Sequence, residues 1–216
     1  MAKQHTFDYD LIVIGSGAGG SAAATIAARD GKKVAIIEED TFGGDSPNWS
    51  DVPTKALLHA AQLYDEARHG ARFGLRSNTL GYNYPSLRAW KELAVKRTGA
   101  ADNRKFYESQ GIDTLHGRAH FISPHEVSVN RKHLSAERFL IATGSHWVAP
   151  DVPGIENATY LTPRTVLEAL RPPKSIYVLG AGTIGVELAQ LLAIFGTKVY
   201  LAEVAARILP KEEEEV

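Results

Sequence analysis

Glycine recurs in this chain in two long stretches of the same design. Asp10 to Asp40 reads DLIVIGSGAGGSAAATIAARDGKKVAIIEED, and Ser175 to Glu203 reads SIYVLGAGTIGVELAQLLAIFGTKVYLAE. Each is an apolar strand, a G-x-G-x-x-G turn, a helix and a second apolar strand that ends in an acid. Glu38 follows Gly15 by 23 residues, and Glu203 follows Gly180 by the same 23. A lone G-x-G-x-x-G carries little weight. Here each one leaves a strand, opens a helix and meets a carboxylate at the expected distance, which predicts two βαβ dinucleotide sites. Two such sites in one chain point to electron transfer between two cofactors.

Each position in the turn has its own task. Gly15 and Gly180 permit the tight exit from the strand. Gly17 and Gly182 carry no Cβ, so a pyrophosphate can approach the backbone. Gly20 and Gly185 let helix and strand pack closely. The helix N-terminus offers free N–H groups and the positive end of its dipole to the phosphates. Glu38 and Glu203 accept hydrogen bonds from ribose hydroxyls, with Glu39 a solvated neighbour. At the second site a carboxylate repels a ribose 2′-phosphate, so NADH is favoured over NADPH. Arg207, four residues on, weakens that preference slightly.

Composition excludes several classes. The 216 residues suit one large domain or two small ones, and a net charge of −1 gives no electrostatic case for nucleic acid or an anionic membrane. There are no cysteines, which removes disulfides, thiolate chemistry and Cys-based metal centres. No apolar run is long enough to span a bilayer. Lys3 and the run Leu11 to Ile14 do not make a signal peptide, because no cleavage site follows. A cytoplasmic location is the default expectation. His116 and His120 are four apart on predicted strands, a spacing that gives no helix-face metal pair, so no metal site is expected.

The remaining chain reads as α/β. Leu11–Ile14 and Val34–Ile37 are parallel strands buried on both faces. Residues 41–53 form a loop rich in Gly, Pro, Asn, Asp and Ser. A helix is predicted from about Thr54 to Arg68, an irregular stretch over 70–85, and helix again from about Ser86 to Ser109 with a weak point at Gly99. Ile112 to Leu134 reads as a small β-meander with turns at Ser123-Pro124 and Asn130, followed by a separate strand from Arg138 to Ala142. Pro-rich segments around 149–153 and 171–173 bracket a connector. Glu212 to Glu215 reads as a solvated helix start.

These motifs, in this order, resemble the N-terminal half of the pyridine nucleotide-disulfide oxidoreductases, the group of dihydrolipoamide dehydrogenase, glutathione reductase and mercuric reductase. The resemblance spans essentially the whole chain. It rests on the first glycine turn, TFGGDSPNWSDVPTKALLHAA after the second strand, GRAHF at Gly117–Phe121, ATGS at Ala142–Ser145, and GAGTIGVE at Gly180–Glu187. It implies a Rossmann-like doubly wound parallel sheet with a small meander, then the start of a second Rossmann unit. Residues 1–148 would be the first segment of an FAD domain, and 149–216 an incomplete NAD domain. By the same resemblance, Gly15, Gly17 and Gly20 hold the FAD pyrophosphate and Glu38 its adenosine ribose. Gly44 and Asp45 lie along the FAD, Ala119 contacts adenine, and Thr143 and Gly144 line the FAD chain. Lys55 sits on the N5 side of the flavin, where a cation stabilises electron density arriving on the ring. Glu187 lies near the nicotinamide–flavin junction. Taken singly, Lys55 or Glu187 would be ordinary helix-surface residues and Thr143 a strand cap; the order of motifs lifts them.

One departure decides mechanism. The family's redox segment follows GG-x-C-x-N-x-x-C-x-P-[ST]-K. Here Gly43, Gly44, Asn48, Pro53, Thr54 and Lys55 keep their places, while Ser46 and Asp51 stand at the two cysteine positions. Neither a hydroxyl nor a carboxylate undergoes thiol–disulfide exchange. Hydride transfer from NADH to FAD could persist, with electrons leaving to a quinone, a dye, oxygen or another protein. A second departure is length. The family chain continues about as far again, through a returning FAD segment and an interface domain. A fragment, a homodimer, or completion by another chain are therefore all open. The sheet edge and the apolar helix face of Leu188, Leu191, Leu192 and Phe195 are expected to lack cover. The competing readings are a truncated, non-catalytic nucleotide-binding or interaction module, and a single-nucleotide Rossmann dehydrogenase. The two turns, the 41–55 loop and ATGS argue against the latter.

Overall fold

A computed structural model describes residues 7–75, 79–99 and 103–215. Lys3, part of the predicted irregular stretch (76–78) and the middle of the predicted second helix (100–102) lie outside the described residues. The chain forms two compact units. One takes the chain up to Asn48 together with Val95–His146, and the other takes Trp49–Ala94 with Trp147–Val216. The chain changes unit three times, after Asn48, after Ala94 and after His146, so the helical segment 49–94 groups with the second unit.

The first unit is a six-stranded sheet in the order β3-β2-β1-β6-β5-β4. Its strands are β1 (Tyr9–Ile14), β2 (Val34–Glu38), β3 (Asp113–His116), β4 (His120–Ser123), β5 (Glu126–Val129) and β6 (Lys132–Ile141). The β3-β2-β1-β6 block is parallel, and β4 to β6 form the antiparallel meander. Helix α1 (Ala18–Arg29) is the crossover from β1 to β2. Side-chain alternation sorts the core into two layers. Val13, Val34 and Ile36 pack with Ala24, Tyr107 and Ile112, while Ile12, Ala35 and Ile37 pack with Val127, Val129 and Ala136.

Two details differ from the sequence expectation. β3 joins the parallel block rather than the meander, pairing Ala35 with Asp113 through Glu38 with His116. And no break separates the meander from the strand before ATGS: β6 runs unbroken, with Lys132–Ser135 antiparallel to β5 and Ala136–Ile141 parallel to β1. Asn130 and Arg131, both left-handed with φ of 49° and 67°, make the two-residue turn that feeds β6.

The second unit holds α3 (Asp51–Arg68), most of α4 (Tyr84–Arg97), the short α6 (Pro163–Val166), and a parallel βαβ of β7 (Ser175–Leu179), α7 (Thr183–Ile194) and β8 (Lys198–Ala202). α3 begins at Asp51, earlier than predicted, because Pro53 falls in its first turn, where a missing N–H costs nothing. A one-turn helix α2 (Asp45–Asn48) precedes it in the first unit. The predicted second helix is two: α4 gives way at Gly99, φ 76°, and α5 (Asn103–Ser109) follows. The tail around Glu212–Glu215 is exposed and made of turns rather than a helix start.

The expectation that α7 lacks cover is overturned. Leu188, Leu191, Leu192 and Phe195 are buried against Leu57 and Ala61 of α3 and against Val166 and Leu167. On β7 and β8, by contrast, Tyr177, Leu179 and Tyr200 are exposed, with the two tyrosine rings stacked 4.5 Å apart. No helix among the described residues is long and apolar enough to cross a membrane.

Candidate functional site

The first turn is built by close approach. Gly15 has φ 98°, and a Cβ there would stand 2.2 Å from the Ala142 carbonyl oxygen, so only glycine fits. The ATGS segment thus lies directly against the turn, held by the Ala142 N–H donating to Ile14 O at 2.8 Å. Gly44, φ 71°, closes the other side: a Cβ there would come within 2.6 Å of Gly17 Cα. Asn48 holds this loop by donating to the carbonyls of Phe42 and Gly44 at 3.2 and 2.8 Å. No side chain caps α1 at Gly17 and its first turn carries no acid, so its leading N–H groups face outward for an anion. Gly15, Gly17, Gly44 and Thr143 therefore lie together at one helix end, with Gly144 next along the chain. Gly20 is buried in the same turn, Asp45 is exposed at the start of α2, and Ala119 packs on the meander side of the core.

Glu38, at the end of β2, is already oriented. Its Oε2 accepts from Ser16 N at 2.9 Å and Ser16 Oγ at 2.7 Å, and its Oε1 accepts from Asp40 N at 2.9 Å. Sequence reasoning passed over Ser16 because it occupies the unspecified second place of the motif. The signal was available, since the second turn has Ala181 there. Tyr107, also passed over, is buried and donates to Ser16 O at 3.2 Å. Burial pushes its phenol pKa above the ordinary value. A cavity of about 510 Å³ opens beside this turn, lined by Ala22, Thr25 and Arg29 of α1, Ser46 of α2 and Phe106 of α5.

The second turn repeats the plan. Gly180 has φ 102°, Gly182 precedes α7 without a side-chain cap, and a Cβ on Gly185 would meet Gly180 O at 2.0 Å. Glu203 Oε2 accepts from Ala181 N at 2.7 Å, and Oε1 from Val204 N and Ala205 N at 2.8 and 3.0 Å. The Ala205 and Ala181 N–H groups hold its carboxyl below the usual carboxylate range. Arg207 donates to the tail carbonyls of Glu212 and Glu213.

Lys55 of α3 and Glu187 of α7, 132 residues apart, are brought together. Lys55 Nζ donates to both carboxylate oxygens, at 2.6 and 2.8 Å. Asp51, one turn earlier on α3, lies 4.0 Å from the same Nζ. The ammonium thus stands between two carboxylates, and the trio carries a net −1. In the family pattern the position of Asp51 is a cysteine. Nearby, Arg164 stacks on the Trp49 ring at 3.9 Å, and buried Lys91 donates to Leu167 O and Glu168. Single-sequence reading gives no signal for either contact, since both pair residues more than 70 apart. His116 Nε2 is spent on Asp40 O at 3.0 Å.

The family model described as pyridine nucleotide-disulphide oxidoreductase matches residues 9–216. The chain belongs to that family. Among relatives in the family, a mercuric reductase of Streptomyces lividans is 38% identical, with 100% of this chain and 46% of the relative covered. A dihydrolipoyl dehydrogenase of Acholeplasma laidlawii is 34% identical, covering 97% and 63%. The Cu(II) complex of the HOCl-induced flavoprotein disulfide reductase RclA of Escherichia coli has a similar fold. Its TM-score is 0.79 at 29% identity, covering 95% of this chain and 44% of that one. The chain thus spans less than two thirds of the length of these relatives.

A flavin dinucleotide fits the first turn. The nearest atom to a Cβ built on Gly17 is 4.0 Å away, so the missing side chain leaves room at the helix end for a pyrophosphate. Glu38 is held at the end of β2, where a ribose would lie.

Proposed function

We propose that this chain forms the FAD site and the beginning of the pyridine-nucleotide site of an NADH-linked flavoprotein oxidoreductase that passes electrons to a non-disulfide acceptor. The observation that carries this reading is the redox segment. Its frame of Gly43, Gly44, Asn48, Pro53 and Lys55 is kept, while Ser46 and Asp51 replace the cysteines. FAD, when bound, accepts hydride from the nicotinamide and gives electrons up to the acceptor. The protein's part is positional and electrostatic. The N-terminus of α1 and the Gly15–Gly17 turn receive the pyrophosphate, with Gly20 setting the helix against the strand. Asp45, Ala119, Thr143 and Gly144 line the rest of the cofactor. Lys55, steadied by Glu187, supplies the cation on the flavin side.

At the second turn Gly180, Gly182 and Gly185 receive the nicotinamide dinucleotide. NADH is favoured over NADPH because Glu203 stays ionised, held by three backbone N–H groups, and repels a 2′-phosphate. The acceptor is a quinone, a dye, oxygen or another protein. A cytoplasmic location goes with this reading, and cell fractionation tests it.

The test is the visible spectrum of the purified protein before and after anaerobic NADH, repeated with NADPH. The reading expects a flavin band that NADH bleaches faster than NADPH does. A flavin band untouched by NADH would leave an FAD-binding module without the electron-transfer function. A colourless protein that takes up no added FAD would overturn the reading altogether.

A further inference from the structure

Ser16 is fully buried, and every polar atom it has is committed. Its hydroxyl donates its one proton to Glu38 Oε2 at 2.7 Å and accepts from Gly43 N at 2.9 Å. Its own N–H donates to the same Oε2 at 2.9 Å, and its carbonyl accepts from Tyr107. With Asp40 N on Oε1, three donors fix the Glu38 carboxylate. A carboxylate accepts about four hydrogen bonds, so roughly one site is left for an outside donor.

The second turn shows what is particular here. Ala181 stands at the matching place and offers Glu203 a single N–H, and the other two donors to Glu203 come from the residues just after it. Glu38 is instead oriented by a hydroxyl from the turn itself. That hydroxyl also fastens the loop that carries Gly43, Gly44 and Ser46.

We infer that Ser16 is a positioning residue, whose hydroxyl aims Glu38 at an adenosine-ribose hydroxyl and ties that carboxylate to the Gly43 loop. The inference rests on the FAD reading given above. A Ser16 that merely filled space would stabilise the fold without distinguishing one ligand from another. A positioning Ser16 acts through Glu38 and is felt only by a ligand with the ribose hydroxyl.

The experiment measures FAD dissociation constants by flavin fluorescence for the protein, Ser16→Ala, Glu38→Gln and the double variant. FAD and its 2′-deoxyadenosine analogue are the two ligands. A hydrogen bond to a charged group is worth enough that Ser16→Ala should weaken FAD about ten-fold. The analogue should lose less than about two-fold, and Ser16→Ala should add nothing in the Glu38→Gln background, as expected of residues acting in one chain of contacts. Ser16→Cys keeps the size and offers only a weak donor, so it makes the same comparison if Ser16→Ala does not fold. Equal losses for FAD and analogue, or losses that add across the two variants, overturn the inference alone. Protein that takes up no FAD before any substitution overturns it together with the reading beneath it.

Discussion

Gly19 and Gly20 are neighbours in the first turn of α1, and the same substitution should have opposite signs at the two. A Cβ on Gly20 would lie 1.9 Å from Gly15 O and 3.1 Å from Val13 Cγ1, whereas a Cβ on Gly19 would meet nothing within 4 Å. An ordinary carbon–oxygen approach is roughly 3.3 Å, so Gly20→Ala requires α1 and β1 to part by about 1.4 Å. The obstacle is a backbone carbonyl in a turn that Ala142 already confines, so no side chain can swing aside. Overpacking of this kind costs about 1–3 kcal/mol, and the rigid neighbour puts Gly20→Ala near the upper end. Gly19→Ala instead gains about 0.4–1 kcal/mol, because alanine loses less chain freedom on folding. At about 2–4 °C per kcal/mol for a chain of this size, Gly20→Ala lowers Tm by about 6–12 °C and Gly19→Ala raises it by about 1–4 °C. Thermal unfolding followed by far-UV circular dichroism, with and without FAD, reads both. A Gly20→Ala protein as stable as the parent would refute the close helix–strand approach. An equal fall for both variants would refute the claim that the cost is local to Gly20.

Three further outcomes are expected. Asp51→Asn neutralises the trio around Lys55, so the flavin potential should rise by on the order of 20–60 mV, from the scale of one partly screened charge; a redox titration that shows no change removes Asp51 from the flavin's surroundings. Lys55→Met should cost less than about 1 kcal/mol in urea unfolding, because Lys55 is more than half exposed, yet slow flavin reduction by NADH at least about ten-fold, and equal small effects on both would count against its role. Burial, and then the Asp113 carboxylate at 2.9 Å, push Tyr9 from its ordinary 10 up to about 12. The folded state binds that proton more tightly, so the contribution is complete below pH 10 and lost as pH rises through 12. The urea midpoint of the parent should therefore fall toward that of Tyr9→Phe over this range, and a gap that stays constant would contradict the shift.

Both Rossmann turns were legible in the sequence because their constraints are local. A glycine confined by its own strand and helix, followed by an acid 23 residues later, needs no knowledge of the rest of the chain. The meander turns were legible for the same reason, since Asn130 tolerates the left-handed backbone it adopts. Partner choice between distant elements was not. Nothing in Leu188, Leu191, Leu192 and Phe195 states that Leu57 and Ala61 of α3 will cover them, because apolar side chains fit many neighbours equally well. β3 could not be told from a meander strand, as four residues of mixed polarity fit either kind of sheet. Ser16 escaped because motif positions are ranked by what a ligand touches, and its work is done one bond further back. The Lys55–Glu187 contact was approached only through family order; each residue alone looks like a solvated helix position.

The unbroken course of β6 makes the meander a ruler for the nucleotide site. At one end stands the Asn130–Arg131 turn, with Val129 opposite Lys132; at the other, Ile141 stands opposite Ile14 and ATGS begins. Adding or removing one residue in that distant hairpin would slide the whole strand by a notch. Each notch turns every side chain to the other face and moves Ala142 along Gly15. The close approach of the Ala142 carbonyl to Gly15 is thus calibrated at a hairpin about ten residues away.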